Sequence, residues 1–334
     1  MARQDDQPKA FDFVSFPGEA PKKKELVGHD RWRDDRFHGV LQVRLTVETA
    51  LHSSTGNIVL GRDVGVDEPL VGPLVQRNGQ WIIQGSSLKG CVRSVYEAIT
   101  NSTLGTKPNK DCRVDRSRLP MKAFNDRKNP SLELCPASRV FGAMGFQGLV
   151  EIGDAVADRA PSIVRVQPLF APQLGPGYED AAGMARGRKF YYHGRRLAEG
   201  GSIPIQAVMA GAQLTTQIRF KNLESADLGA LLVALGLDEK YRFALKLGAA
   251  KPLGLGTVSV EVTQAEISNG KELQARRYAD YVVKPDWLTG KRLHAVMRQH
   301  ITIAHQELIQ KPQLEQLVEI LKFPTDREPI EGIY

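Results

Sequence analysis

Leu41, Val43, Leu45 and Val47 alternate with Gln42, Arg44, Thr46 and Glu48, a period of two that fits a strand with one buried face. The alternation returns at Val258, Val260 and Val262. Between these strands the chain changes period. After the short strand 81–84, a Gly-Ser-Ser turn leads into Leu88, Val92, Val95 and Ile99, spaced as one apolar helical face. A second helix is expected over 225–235, and further strands near 149–155, 163–168, 205–210, 214–220 and 241–247. A short helix is expected at 138–144.

Strand, helix, several strands, helix, strand predicts an α+β fold. The expected form is an RRM-like (ferredoxin-like) antiparallel sheet with helices on one face, basic loop insertions and a C-terminal helical extension. Residues 1–36, rich in charge and carrying Lys22, Lys23 and Lys24 in a row, read as a charged N-terminal arm with little core of its own. The core then spans 37–263, with insertions at about 101–135 and 168–196. Residues 264–334 form the helical extension, with helices expected at 273–283, 289–309 and 313–323.

The 334 residues are 42% apolar, enough to bury a core. No run of eighteen apolar residues and no signal pattern occurs, so the reading is a cytoplasmic protein without a membrane partner. Three cysteines, Cys91, Cys112 and Cys135, with no C-x-x-C pair read as reduced thiols; a zinc completed by Cys112, Cys135 and distant histidines is the alternative.

The net charge of +7 is local rather than diffuse. Residues 106–128 hold eight Lys or Arg against three Asp, and 184–196 hold five with no acid, interleaved with Phe190, Tyr191, Tyr192 and His193. Local excess implies a polyanion.

The turn before the helix sharpens this. A helix N-terminus already carries partial positive charge, so Lys89 in the first turn opposes the dipole unless an anion is present. Ser86, Ser87, backbone N–H groups and Lys89, with Arg93 one turn on, suit a phosphate. The plain alternative is that Ser86 caps the helix and Lys89 extends into water. No nucleoside-triphosphate loop spacing occurs. A small-molecule enzyme using the turn for a phosphorylated metabolite is a further reading, but it leaves both basic insertions unexplained.

Three elements coincide in order: Gln84-Gly85-Ser86-Ser87-Leu88-Lys89-Gly90 with Arg93, Leu134-Cys135-Pro136-Ala137 with Phe141-Gly142, and the glycine loop from Gly248 to Gly256. With Leu51-His52 and Gly65-Val66-Asp67 they resemble the RAMP superfamily of CRISPR systems, specifically the backbone subunits of type III effector complexes, over about 40–262. The resemblance implies a protein stacked with other effector-complex subunits along a CRISPR guide RNA. His52, Ser86, Ser87, Lys89, Arg93 and Lys251 would hold the guide. Arg186, Arg188 and Lys189, at the root of a protruding Pro/Gly excursion near 168–188, would contact RNA backbone and splayed bases.

The resemblance also implies cleavage of guide-paired target RNA by a metal-dependent endoribonuclease. Asp67 is the carboxylate at the matching position, Asp63 the reserve, and the cofactor is a divalent ion such as Mg²⁺. A non-catalytic scaffold in the same complex is the alternative. His52 and His193 raise a third reading, a metal-free guide-processing nuclease.

Overall fold

The computed structural model describes residues 9–108, 112–122, 133–169, 178–279 and 285–330. Twelve of its strands, leaving aside six two-residue ones, organise it: β1 (Phe11–Ser15), β2 (Phe37–Val47), β3 (Gln76–Arg77), β4 (Gln80–Ile83), β5 (Val150–Ile152), β6 (Ala155–Ala157), β7 (Ser162–Val166), β8 (Gly187–Tyr191), β9 (Ile203–Ala207), β10 (Gln213–Leu223), β11 (Leu245–Lys246) and β12 (Thr257–Asn269). Six helices accompany them: α1 (Gly85–Ile99), α2 (Pro136–Phe141), α3 (Ser225–Ala234), α4 (Gly270–Ala279), α5 (Gly290–Glu307) and α6 (Lys311–Leu321).

The main sheet is antiparallel and runs β11-β12-β2-β10-β6-β4-β3, with β5 also on β10. The period of two in β2 sorts its faces as expected. Leu41, Val43, Leu45 and Val47 are buried, as are Leu214, Ile218 and Phe220 of β10, and both sets join one core with Leu88, Val92, Val95 and Ile99 of α1. Each such side chain contributes roughly 1.5–3 kcal/mol by leaving water. The opposite face carries Gln42, Arg44, Thr215, Gln217 and Arg219 around a polar hollow of about 670 Å³.

Several elements differ from the sequence reading. Part of the N-terminal segment joins the core: β1 pairs antiparallel with β8, and Val14, 1% exposed, lies in the main core. A five-residue strand whose partner lies far along the chain leaves no local signal. The strand expected over 241–247 shrinks to β11, because the Ala244 amide bonds the Leu321 carbonyl at the end of α6 (3.2 Å). The last strand continues past a bulge between Val262 and Gln264 to Asn269, staying paired with β2 down to Phe37. There Asn269 and Glu272 exchange side-chain-to-amide bonds (2.8 and 3.2 Å), a reciprocal cap that starts α4.

The last two helices pack on the core. Leu293, Met297, Ile301 and Ala304 of α5 and Leu314, Leu317 and Leu321 of α6 belong to it. α5 lies so close to α3 that a Cβ on Gly229 would collide with the His300 carbonyl. Gln316 of α6 accepts from the Ser15 amide of β1 (2.9 Å). The tip of the expected Pro/Gly excursion, 170–177, lies outside the described residues.

Candidate nucleic-acid interface

α1 starts directly after β4, and the chain itself supplies an anion there. Asp154, in the break between β5 and β6, accepts from the Gly85 amide (2.9 Å) and pairs with Arg77 (2.5 Å). The favourable charge at this helix N-terminus is thus already present. Lys89 donates to the Val150 carbonyl (2.8 Å), and burial, with the neighbouring Arg93 charge, lowers its pKa. Ser86 is exposed and Ser87 half-buried.

Arg93 is likewise engaged. It donates to Glu97 one turn on (2.6 Å) and to the Gly142 carbonyl (3.0 Å). Arg188 of β8 pairs with the same Glu97 carboxylate and donates to the Ser94 carbonyl (3.0 Å). Lys189 lies over the Phe11 ring (3.9 Å) and the Tyr191 ring (4.6 Å), and burial pushes its pKa down to about 8. Arg186 sits over Phe13 (5.8 Å). Gly187–Tyr191 is therefore a paired strand whose cations meet partners inside the fold, not the root of a free finger.

The two histidines are structural. His52 is buried and its Nδ1–H donates to the Gln206 carbonyl (2.7 Å); burial lowers its pKa. Its own carbonyl accepts from the Ala249 amide (2.9 Å), so His52 holds the glycine loop through its backbone. His193 donates from Nε2 to the Ala244 carbonyl (3.1 Å) and accepts at Nδ1 from the Thr257 hydroxyl (3.0 Å). Burial, with the Lys246 charge, pushes its pKa down to about 3. A ring kept neutral and bonded on both sides is a poor general acid or base.

What does converge is a groove of about 370 Å³ where the start of α1, the Ser53-Ser54 loop and the glycine loop meet. Ser87, Gly90, Cys91 and Ser94 form one wall; Gly248, Ala249 and Lys251 form the other. Gly248 (φ 82°) and Ala250 (φ 54°) adopt the left-handed conformation that curls this loop, and a Cβ on Gly248 would collide with the His52 carbonyl. Beneath the loop Lys246 is buried, its amine has no hydrogen-bond acceptor among the described residues, and burial beside Lys251 pushes its pKa down to about 7. Of the residues expected to hold RNA, the groove unites Ser87 and Lys251 over the His52 backbone, and adds Gly90, Cys91 and Ser94. The missed wall had a signal: 87, 90, 91 and 94 are small or polar residues at i, i+3, i+4 and i+7, one stripe of a helix.

Asp63 and Asp67 lie between two paired segments, Val59–Leu60 and Leu70–Val71, tied to β9 by the Gly72 amide and Pro204 carbonyl (3.0 Å). Asp63 sits 3.7 Å from Arg62, and Glu68 pairs with Arg165 (2.6 Å); Asp67 is exposed. Among the described residues no three His, Cys, Asp or Glu side chains converge on one point. Cys135 is buried, bonded to Thr103 and Ser138 (both 3.2 Å).

The sequence profile of the RAMP superfamily matches residues 44–259, from inside β2 to the start of β12. The chain belongs to the RAMP superfamily. No curated protein matches it. The matched span takes in α1, the groove and the glycine loop, and leaves outside it the N-terminal strand and α4 to α6. As a RAMP protein the chain is CRISPR-associated and RNA-binding, a family that acts alongside other complex subunits. Among the described residues no helix of this RAMP protein is long and apolar enough to cross a membrane.

Proposed function

We propose that this RAMP protein is a guide-RNA-binding backbone subunit of a type III effector complex. The groove between α1 and the glycine loop carries the reading: a Lys251 ammonium, hydroxyls of Ser87 and Ser94, and backbone curled by Gly248 and Ala250 line one channel. Such a surface suits phosphates and sugars rather than base edges, and glycine lets RNA approach the main chain. The order β12-β2-β10-β5, with α1 and α3 among the connections, supports the ferredoxin-like, RRM-like form of the fold. Short RNAs sharing a repeat-derived end, recovered with the purified protein, support this function; no enriched RNA at low salt contradicts it.

Target cleavage at Asp67 belongs to the same proposal. Glu68 is paired with Arg165, and of the two exposed aspartates of the loop Asp63 lies beside Arg62 whereas Asp67 forms no ion pair among the described residues. Mg²⁺ is commonly held by one or two carboxylates together with substrate phosphates, so Asp67 fits as the single protein ligand of an ion shared with RNA. When bound, such an ion stabilises charge on the phosphate oxygens. Asp67 holds an exposed carboxylate on this loop, where a paired target can meet it. The second reading is a scaffold that binds guide without cutting.

A further inference from the structure

The sequence places excess positive charge in two insertions, and the structure separates their fates. In the second, Arg188 is held by Glu97, and Arg195 and Arg196 by Glu328. In the first, Lys107, Arg113 and Arg116 line a cavity of about 410 Å³ and form no ion pair among the described residues. The second insertion borders that cavity on one side. The Ala185 amide bonds the Arg113 carbonyl (2.8 Å), and Met184 joins Leu119 as apolar wall.

The acids nearby are largely committed to backbone. Asp115 accepts from the Ser117 amide (2.8 Å) and hydroxyl (2.6 Å), bonds that lower its pKa. Asp180 accepts from the Ala182 (2.9 Å) and Met184 (3.0 Å) amides. Glu179 lies close enough to Cys112 to raise the thiol pKa further after burial does so. Among the described residues the lining thus keeps three cations against one carboxylate, with apolar side chains between them. Cations that can contact phosphate beside aliphatic side chains that can cover a base face suit an unpaired nucleotide. The volume falls in the usual range for a small-ligand site.

We propose that the cavity between the two insertions is a second RNA site, separate from the groove at the glycine loop, which holds a single-stranded nucleotide through Lys107, Arg113 and Arg116. It rests on RNA binding by the superfamily and not on the type III reading.

Cys112, in the cavity wall, provides the test. The full chain is alkylated with iodoacetamide at mildly alkaline pH with and without a short oligouridylate, and each cysteine is quantified by peptide mass spectrometry, with buried Cys135 as reference. RNA is expected to slow Cys112 alkylation several-fold. The Arg113→Gln, Arg116→Gln double variant is expected to lose that protection, and its log-affinity should fall less steeply with log salt, by about 1.4 in slope for two phosphate contacts. RNA that binds while Cys112 alkylation is unchanged in the wild-type chain overturns the second site and leaves the groove intact. Polyglutamate protecting Cys112 as well as RNA does also overturns it, in favour of an acidic peptide. No RNA binding at low salt defeats both this site and the proposed function.

Discussion

Glu97, 1% exposed and four residues beyond Arg93 on α1, takes the Arg188 guanidinium from β8 on its second oxygen. One carboxylate thereby joins the helix that walls the groove to the strand that pairs with the N-terminus. Removing it leaves two half-buried cations facing each other without a counter-charge. Glu97→Gln is expected to destabilise the protein by about 3 kcal/mol, read from urea unfolding. A change within error means that solvent compensates both arginines.

His193 and His300 set an acid limit. Burial holds their pKa values at about 3 and about 4, below the ordinary 6.5 that applies in the unfolded chain. Below 6.5 the unfolded state takes up protons that the folded state refuses, so their contribution is fully present above 6.5 and is lost as pH falls toward 4. Each histidine adds a slope approaching ~1.4 kcal/mol per pH unit in that window. His193→Gln should flatten the dependence of unfolding free energy on pH between 6 and 4 relative to wild type. An unchanged slope would show that the ring protonates without unfolding.

Gly248 couples the groove to His52. A side chain there meets both a left-handed φ of 82° and the His52 carbonyl, whereas Gly56, at φ 85°, has open space around its Cα. Gly248→Ala should therefore lower RNA affinity and cost about 2 kcal/mol or more of stability, while Gly56→Ala costs about 1 kcal/mol and leaves RNA affinity unchanged. Equal effects of the two substitutions would remove the role of the close approach.

Asp67→Ala is expected to lower target-RNA cutting by ~10²–10⁴-fold with guide retention unchanged, measured on the complex assembled with each variant. Asp63→Ala, which removes a carboxylate already beside Arg62, should leave cutting within a few-fold of wild type. Wild-type cutting by the Asp67 variant overturns the assignment of cleavage to Asp67.

Much of this was legible in the residues because the signals were local. The alternation of 41–47 and the face 88-92-95-99 each place their buried side directly. What escaped depends on partners distant in sequence. FDFVS reads as arm until its partner β8 is known, and the Gly85 amide finds its anion in Asp154 rather than in a ligand. Arg188 and Lys189 display charge in sequence but conceal the Glu97 carboxylate and the Phe11 ring that receive them. The spacing of Arg93 and Glu97 was the available warning, since i and i+4 share a helix face.

Whether guide RNA lies between α1 and the glycine loop is decided by ultraviolet crosslinking of the RNA-loaded protein, with crosslinked peptides identified by mass spectrometry. Crosslinks are expected in the peptides that carry Ser87 to Ser94 and Gly248 to Lys251. Crosslinks confined to the open sheet face around Gln42, Thr215 and Gln217, with none at the groove, would contradict that placement.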